Sequence, residues 1–149
     1  MESNWKFHHV GVAIKDADKT FEYYQSLGIA TLVSEMFFNS SDFVDFKVNG
    51  KPCDSLATAK IRFVQVGPIH FELVQPVKGE SPQKEFLASR GEGVNHIAFT
   101  VDDLDRETAK LVAKGVPVVF SGKPQMGKAF AYFDTRQDGG DIMIKLMQR

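Results

Sequence analysis

Two histidines occupy equivalent positions of a sequence motif that occurs twice in the chain. The first copy, FHHVGVAIKDADK, covers residues 7–19, and the second, NHIAFTVDDLD, covers residues 95–105. His9 in the first copy aligns with His96 in the second, 87 positions further along the chain. Imidazole nitrogens are common ligands of divalent metals such as zinc, cobalt, nickel and iron. A single strand histidine is usually structural or exposed, but two at equivalent positions of a repeat indicate a shared role in one cavity.

The ends of the two copies contain a second equivalence. HFELVQ, at residues 70–75, resembles MIKLMQ, at residues 143–148, and this aligns Glu72 with Lys145 at an offset of 73. A glutamate inside an apolar strand is costly to bury without a partner, so Glu72 indicates a polar site. The smaller offset makes the first copy longer by 14 residues, and this surplus falls in the turn-rich segment 38–60.

Each copy predicts a strand, a helix and three further strands. Asp16 or Asp18 in the first copy and Asp103 in the second are placed to cap the helices, and glycines end them. The predicted strands are residues 6–14, 29–38, 58–66 and 69–75, then 94–101, 117–120, 128–133 and 142–148. An extended stretch near residues 43–48 is expected to continue the second strand. Ser81, Pro82 and Gly91 predict a linker helix between the copies.

The copies therefore predict an α+β fold with two tandem βαβββ modules in a single domain of residues 1–149. Module one covers residues 6–76, the linker helix residues 81–91, and module two residues 93–148. Two such modules that pair their apolar faces form a cupped, eight-stranded mixed sheet.

The composition excludes several classes of protein. The net charge of −1 gives no electrostatic surface for nucleic acid, and no segment is long and apolar enough to predict a membrane helix. Cys53 is the only cysteine, so no internal disulfide is expected and a reducing, cytoplasmic location fits. The first residues lack the apolar core of a signal peptide.

Four motifs resemble the vicinal oxygen chelate superfamily, which includes glyoxalases, bleomycin resistance proteins and dioxygenases. They are HHVGVAIKDADKTFEYYQSLG, IHFELVQP, GEGVNHIAFTVDDLD and GGDIMIKLMQR. Within the superfamily, these motifs most resemble those of methylmalonyl-CoA epimerase and lactoylglutathione-lyase-like proteins. The resemblance implies a glyoxalase-like fold with a divalent metal in its cup, held by the first and last strands of each module. Carried onto this chain, those positions are His9, Glu72, His96 and Lys145.

Lys145 departs from the family pattern, because the related enzymes have a carboxylate there and an ammonium group is not a metal ligand. One alternative is a site of His9, Glu72 and His96 that holds Zn, Co, Ni, Mn or Fe with open positions for a substrate. In the other, the protein is metal-free. Lys145 would then pair with Glu72 or hold a carboxylate or enolate oxygen of the substrate.

The resemblance implies an epimerase, isomerase or lyase that moves a proton through a stabilised enolate. The substrate would be a small carbonyl, acyl-thioester or carboxylate compound, with Glu72 and Lys145 as catalytic residues. The base stays open among Glu72 and the acidic residues Glu35, Asp42 and Asp45. A non-catalytic small-molecule binding or resistance protein and an iron-dependent dioxygenase are the alternatives. The resemblance also implies a homodimer, and His8 and His70 are expected on the outer or interface face.

Overall fold

The computed structural model describes residues 4–149. Its helices are α1 (Ala17–Ser26), α2 (Pro82–Arg90) and α3 (Leu104–Ala113). Its strands are β1 (Lys6–Ala13), β2 (Thr31–Asn39), β3 (Phe43–Val48), β4 (Lys51–Pro52), β5 (Thr58–Val66), β6 (Ile69–Lys78), β7 (Gly93–Val101), β8 (Val118–Pro124), β9 (Phe130–Phe133) and β10 (Met143–Gln148). Within the described residues, none of the helices has the length and apolar character needed to cross a membrane.

The chain folds into two compact units. The first unit consists of residues 9–39 and 55–95, and the second of residues 4–8, 40–54 and 96–149. The strand order in the first unit is β2-β5-β6-β1, and in the second it is β7-β10-β9-β8-β3-β4. β1 runs parallel to β6, and β10 runs parallel to β7, whereas the other neighbours for which a register is given are antiparallel. Each unit therefore contains a mixed sheet.

In the first unit, α1 covers one face of the sheet. The helix begins at Asp16, whose side chain accepts a hydrogen bond from the Lys19 amide, and the chain turns away at Gly28, where φ is +74°. The core beneath α1 consists of alternate strand residues and one helix residue: Val12, Ile14, Ala17, Val64 and Leu73. Because strand side chains alternate, His9 and Glu72 lie on the other face of this sheet.

The second unit is built in the same way. Asp103 caps α3 by accepting a hydrogen bond from the Arg106 amide. The core beneath α3 contains Val101, Leu104, Ala131, Phe133 and Leu146. The strand positions between these core residues belong to the opposite face, which carries His96, Tyr132 and Lys145.

The α+β fold and the eight predicted strands are confirmed, as are the linker helix and its Ser81 cap. The stretch near residues 43–48 differs from the prediction. A 3-10 turn at Ser40–Asp42 separates it from β2, and it forms β3, which pairs with β8 in the second unit. With β4, it adds two strands to the eight expected ones.

Candidate functional site

His9 and Glu72 are brought together in the first unit. Nε2 of His9 lies 3.0 Å from Oε2 of Glu72, and the two residues are only 1% and 5% exposed. The parallel pairing of β1 with β6 places Gly11 beside Glu72, so His9, two residues earlier, shares this face. In this pair an N–H at Nε2 of His9 donates to the Glu72 carboxylate, since an ionised carboxylate only accepts. An imidazole nitrogen and a carboxylate oxygen are also atoms that coordinate zinc or iron in proteins.

Phe63 and His70 extend this face away from the pair. The Phe63 ring meets the His9 ring edge-on, with centroids 5.4 Å apart, and stacks on the His70 ring at 5.1 Å. Phe63 is also the register neighbour of Glu72. His70 therefore does not lie on the outer face that α1 covers, because residues 70 and 72 of one strand point the same way. His8 is exposed.

Glu35, one of the candidate bases, lies on the opposite face of the first unit. Its carboxylate is 3.5 Å from Nε of Arg62, which in turn is 2.7 Å from Asp18 at the start of α1. Arg62 is the register neighbour of Leu73, which belongs to the core under α1. The pKa of the Asp18 carboxyl is lowered, chiefly by the hydrogen bond from Lys60 and also by the charge of Arg62. Glu35 is thus part of a surface charge network and does not share the face of Glu72.

The other two candidate bases lie in the second unit. Asp42 ends the 3-10 turn, and Asp45 is on β3, where its carboxylate is 3.7 Å from the Lys47 ammonium. Both side chains of this pair are substantially exposed. Asp45 alternates with Phe46, which belongs to the buried aromatic cluster around Tyr132. Asp45 therefore points to the α3 side of its sheet, away from the face that carries His96.

His96 and Lys145 share one face of the second unit. His96 is fully buried, and Lys145 is 8% exposed. The register pairs Met143 with His96 and Lys145 with Tyr132, so adjacent strands hold these side chains in one layer. The Tyr132 ring lies 4.9 Å from the His96 ring, and Nζ of Lys145 lies 5.3 Å from the Tyr132 centroid. Lys145 is therefore buried on the same face as His96.

Aromatic rings surround this lysine. Its ammonium lies 5.8 Å from the Phe130 centroid, and Tyr132 contacts Phe120 at 5.7 Å. Phe46, from β3, meets Phe120 edge-on at 4.9 Å. An ammonium group over aromatic faces is stabilised by their negative π surfaces. Sequence reasoning missed Tyr132, although it alternates with the core residues Ala131 and Phe133 of β9. It missed Phe46 because the stretch that forms β3 was expected to continue the second strand of module one.

The second unit also contains a cavity of about 280 Å³ between α3 and the strands. Its lining includes Thr108 of α3 and Ala129 of the loop before β9, with the Lys123–Asp105 ion pair at 3.8 Å. His96 and Lys145 are not among its lining residues.

The chain belongs to the Glyoxalase/Bleomycin resistance protein/Dioxygenase superfamily, whose family model matches residues 8–133. Among individual proteins it is similar to the Bacillus subtilis protein YqjC, with 25% identity over 96% of this chain and 91% of that one. It is also similar to human mitochondrial methylmalonyl-CoA epimerase, with 24% identity over 96% of this chain and 73% of the relative.

Solved structures agree on the fold. Methylmalonyl-CoA epimerase from Mycobacterium tuberculosis matches with a TM-score of 0.71 and 24% identity, covering 99% of this chain and 91% of that one. A methylmalonyl-CoA epimerase variant from Streptomyces coelicolor, solved with 2-nitronate-propionyl-CoA, matches with a TM-score of 0.66 and 23% identity, covering 96% of both chains.

Proposed function

We propose that the chain is an isomerase-type enzyme that moves a proton next to a carbonyl through a stabilised enolate. The observation that carries this proposal is the buried pair of His9 and Glu72, joined at 3.0 Å on a face free of the helix. Membership of the superfamily and the relatives named methylmalonyl-CoA epimerase support the reaction type. The substrate would be a small carbonyl, acyl-thioester or carboxylate compound.

The proposed cofactor is one divalent ion, with Zn, Co, Ni, Mn and Fe as candidates. His9, Glu72 and His96 would hold it, because two imidazoles and a carboxylate form a mixed N/O donor set and all three are buried. When bound, such an ion supplies a Lewis acid for the oxygen of an enolate. Burial of a carboxylate and an imidazole costs free energy unless they coordinate an ion or share a proton. The chemistry of these side chains therefore fits a divalent ion.

The protein's own residues would contribute in distinct ways. The Lys145 ammonium would donate a hydrogen bond to the oxygen on which negative charge develops, and such donors are worth most in buried surroundings. Glu72 would either hold the ion or accept the proton from carbon. Replacing Glu72 with Gln distinguishes these roles, because an amide oxygen can still coordinate an ion but cannot take up a proton.

The first experiment measures metal content and carbon-bound proton exchange on the same tag-free preparation. Methylmalonyl-CoA is the first substrate to test, with exchange followed by NMR in D₂O. We expect about one ion per chain and exchange that both His9→Ala and His96→Ala abolish. His8→Ala is the matched control, since His8 is the exposed neighbour of His9. Exchange that survives His9→Ala would contradict the proposal, and so would a native protein without an ion.

A non-catalytic binding protein is the second candidate. Lys145 and its aromatic surroundings favour it, because a buried cation beside flat rings can hold an anionic ligand without chemistry. Tight ligand binding without proton exchange would support this candidate. Iron in the purified protein with oxygen uptake on adding a substrate would instead support a dioxygenase. A homodimer stays a prediction that light scattering tests.

A further inference from the structure

We propose that the cavity beneath α3 is a second binding site, for a small zwitterionic ligand with an apolar body, that is, a free aliphatic amino acid. The cavity lies wholly within the second unit, and His96 and Lys145 are not among its lining residues. The proposal therefore goes beyond the proposed function and does not depend on it.

The sequence repeat explains why there is a cavity at this place. At the offset of 87 that aligns the two histidines, Phe21 of α1 is equivalent to Thr108 of α3. Phe21 packs against the core of the first unit, whereas Thr108 lines the cavity of the second. The second unit thus has a small side chain where the first has an aromatic ring, and this leaves space beneath the helix.

Two alanines enlarge the same space. The registers of β5 with β6 and of β9 with β10 align the third strands of the two copies. In this alignment Ala131 takes the place of Arg62, and Ala129, just before β9, takes the place of Lys60. Both cations of the first unit pair with the Asp18 carboxylate, and Nε of Arg62 lies 2.7 Å from it. The cavity therefore occupies the position of a charge network in the first unit.

The aspartate of that network is retained in the second unit. Asp105 is equivalent to Asp18 and lines the cavity, but alanines at positions 129 and 131 supply it with no charge. Its ion-pair partner is Lys123 of β8, at 3.8 Å, and both side chains are more than half exposed. Because that distance exceeds a hydrogen bond of about 2.7–3.2 Å, the pair is weak. An ammonium group of a ligand can therefore approach Asp105 as Arg62 approaches Asp18.

Lysines of the lining can hold the opposite charge of the ligand. Lys47 of β3 lies beside Ser121 of β8 in the register, and its Nζ is 3.7 Å from the Asp45 carboxylate. This distance also exceeds a hydrogen bond, so N–H groups of Lys47 can donate to a carboxylate of the ligand. The charged residues of the lining are two lysines and two aspartates. A zwitterion finds an opposite charge for each of its groups, whereas an anion or a cation finds a partner for only one sign.

The volume and the apolar part of the lining describe the rest of the ligand. The cavity measures about 280 Å³, which is at the lower end of the range for small-molecule sites. Leu104, Val118, Ala129 and Ala131 contribute apolar side chains to the lining. An aliphatic body that leaves water for these side chains gains free energy. A free amino acid such as leucine combines this size, body and charge.

Leucine and two truncated analogues provide a matched set of probes. 4-Methylpentanoate lacks the ammonium group of leucine, 3-methylbutylamine lacks its carboxylate, and all three share one branched body. Their affinities are measured by ligand-observed NMR on protein treated with a chelator, because leucine can also bind a metal. We expect leucine to bind at least about tenfold more tightly than either analogue, since hydrogen bonds between charged groups are the stronger ones. If leucine does not bind, or binds no more tightly than one of the analogues, the proposal is overturned.

Filling the cavity tests where leucine binds. Thr108→Phe gives α3 the residue that α1 has at the equivalent position, and it should abolish leucine binding without lowering the thermal midpoint. Thr108→Val is the control, because valine has almost the shape of threonine and leaves the space open. Leucine binding that survives in folded Thr108→Phe protein would place the ligand elsewhere and overturn the proposal.

Removing one charge tests how leucine is held, in a variant that adds no bulk. Lys47→Gln should weaken leucine binding by about tenfold and leave the affinity for 3-methylbutylamine unchanged, since only leucine has a carboxylate. Lys84→Gln is the control, because Lys84 is an exposed lysine on α2 that pairs with Glu80 at 3.1 Å. Equal affinity for leucine in Lys47→Gln and wild-type protein would contradict the assignment of the carboxylate to Lys47.

Discussion

Removing the carboxylate of Glu72 is the most informative single change, because it affects stability and metal binding through one pair of atoms. Glu72 is 5% exposed and its Oε2 lies 3.0 Å from Nε2 of His9, which is 1% exposed. Glu72→Ala deletes this hydrogen bond and leaves a space beside a buried imidazole. The effect should appear in two conditions, with a chelator and with added metal.

The expected magnitude follows from the burial of the pair. A hydrogen bond that involves a charged group contributes about 1.5–3 kcal/mol, and loss of one member of a buried pair costs up to about 5 kcal/mol. We therefore expect Glu72→Ala to lower the free energy of unfolding by about 2–4 kcal/mol in chelator. Glu72→Gln keeps the shape and a neutral hydrogen bond, so its loss should be about 1 kcal/mol. Added metal at a hundred times its Kd should stabilise the wild-type protein by a further amount of about 2.7 kcal/mol, and Glu72→Ala should lose most of this gain.

Urea unfolding followed by circular dichroism measures both effects. Glu22→Ala is the matched control, since Glu22 is an exposed glutamate on α1 and its loss should change stability by less than about 0.5 kcal/mol. If Glu72→Ala in chelator behaved like this control, the pair would not be the buried interaction described above. A metal-induced gain of equal size in Glu72→Ala and wild-type protein would show that Glu72 is not a ligand.

Three further changes test the fold around the site. The pKa of Glu107 is lowered, first by the hydrogen bond from the Trp5 indole, so the ionised carboxylate stabilises the fold above the usual carboxyl pKa and this stabilisation is lost as pH falls through the lowered value. Acid should therefore shift the fluorescence emission of Trp5, the chain's only tryptophan, and this shift should be absent in Glu107→Gln. A shift that persists in Glu107→Gln would contradict this cause. Gly79→Ala should destabilise the protein by about 1–3 kcal/mol in urea unfolding, since φ is +77° and a Cβ would clash with the Leu56 carbonyl oxygen; an unchanged midpoint would contradict this close approach. Asp103→Ala should cost about 1 kcal/mol by removing the cap of α3, and an unchanged thermal midpoint would show that the cap contributes nothing.

The repeat made most of the fold predictable, because its signals are local. Alternating apolar residues, an Asp at each helix start and a Gly at each helix end recur in both copies, and the caps at Asp16 and Asp103 have the same geometry. The 14 surplus residues were correctly placed in the segment that contains β3 and β4. The partner of β3 could not be predicted, since its pairing with β8 joins residues about 75 positions apart and leaves no local signature.

Glu35 shows how one residue of irregularity changes a candidate site. The pairing of β2 with β5 shifts between Leu32 and Ser34, so Val33 is an extra residue in the strand. Leu32 is opposite Val64, in the core under α1, and regular alternation would then have turned Glu35 toward the face of Glu72. The shift instead turns Ser34 toward that face and Glu35 toward Arg62. A bulge turns every residue that follows it in the strand to the opposite face of the sheet. The sequence of residues 31–39 contains no signal that predicts the bulge.

The role of Lys145 can be inferred only when sequence and structure are considered together. The repeat identifies its position as equivalent to Glu72, and the register of β10 confirms that the side chain faces the layer of His96 and Tyr132. Position alone would allow a solvated lysine, a partner for Glu72 or an anchor for a ligand. The rings at 5.3 Å and 5.8 Å remove the first reading, because a cation packed against aromatic faces and 8% exposed is held inside the fold. Affinities of Lys145→Gln and wild-type protein for charged and neutral ligands of the same shape would distinguish the remaining two.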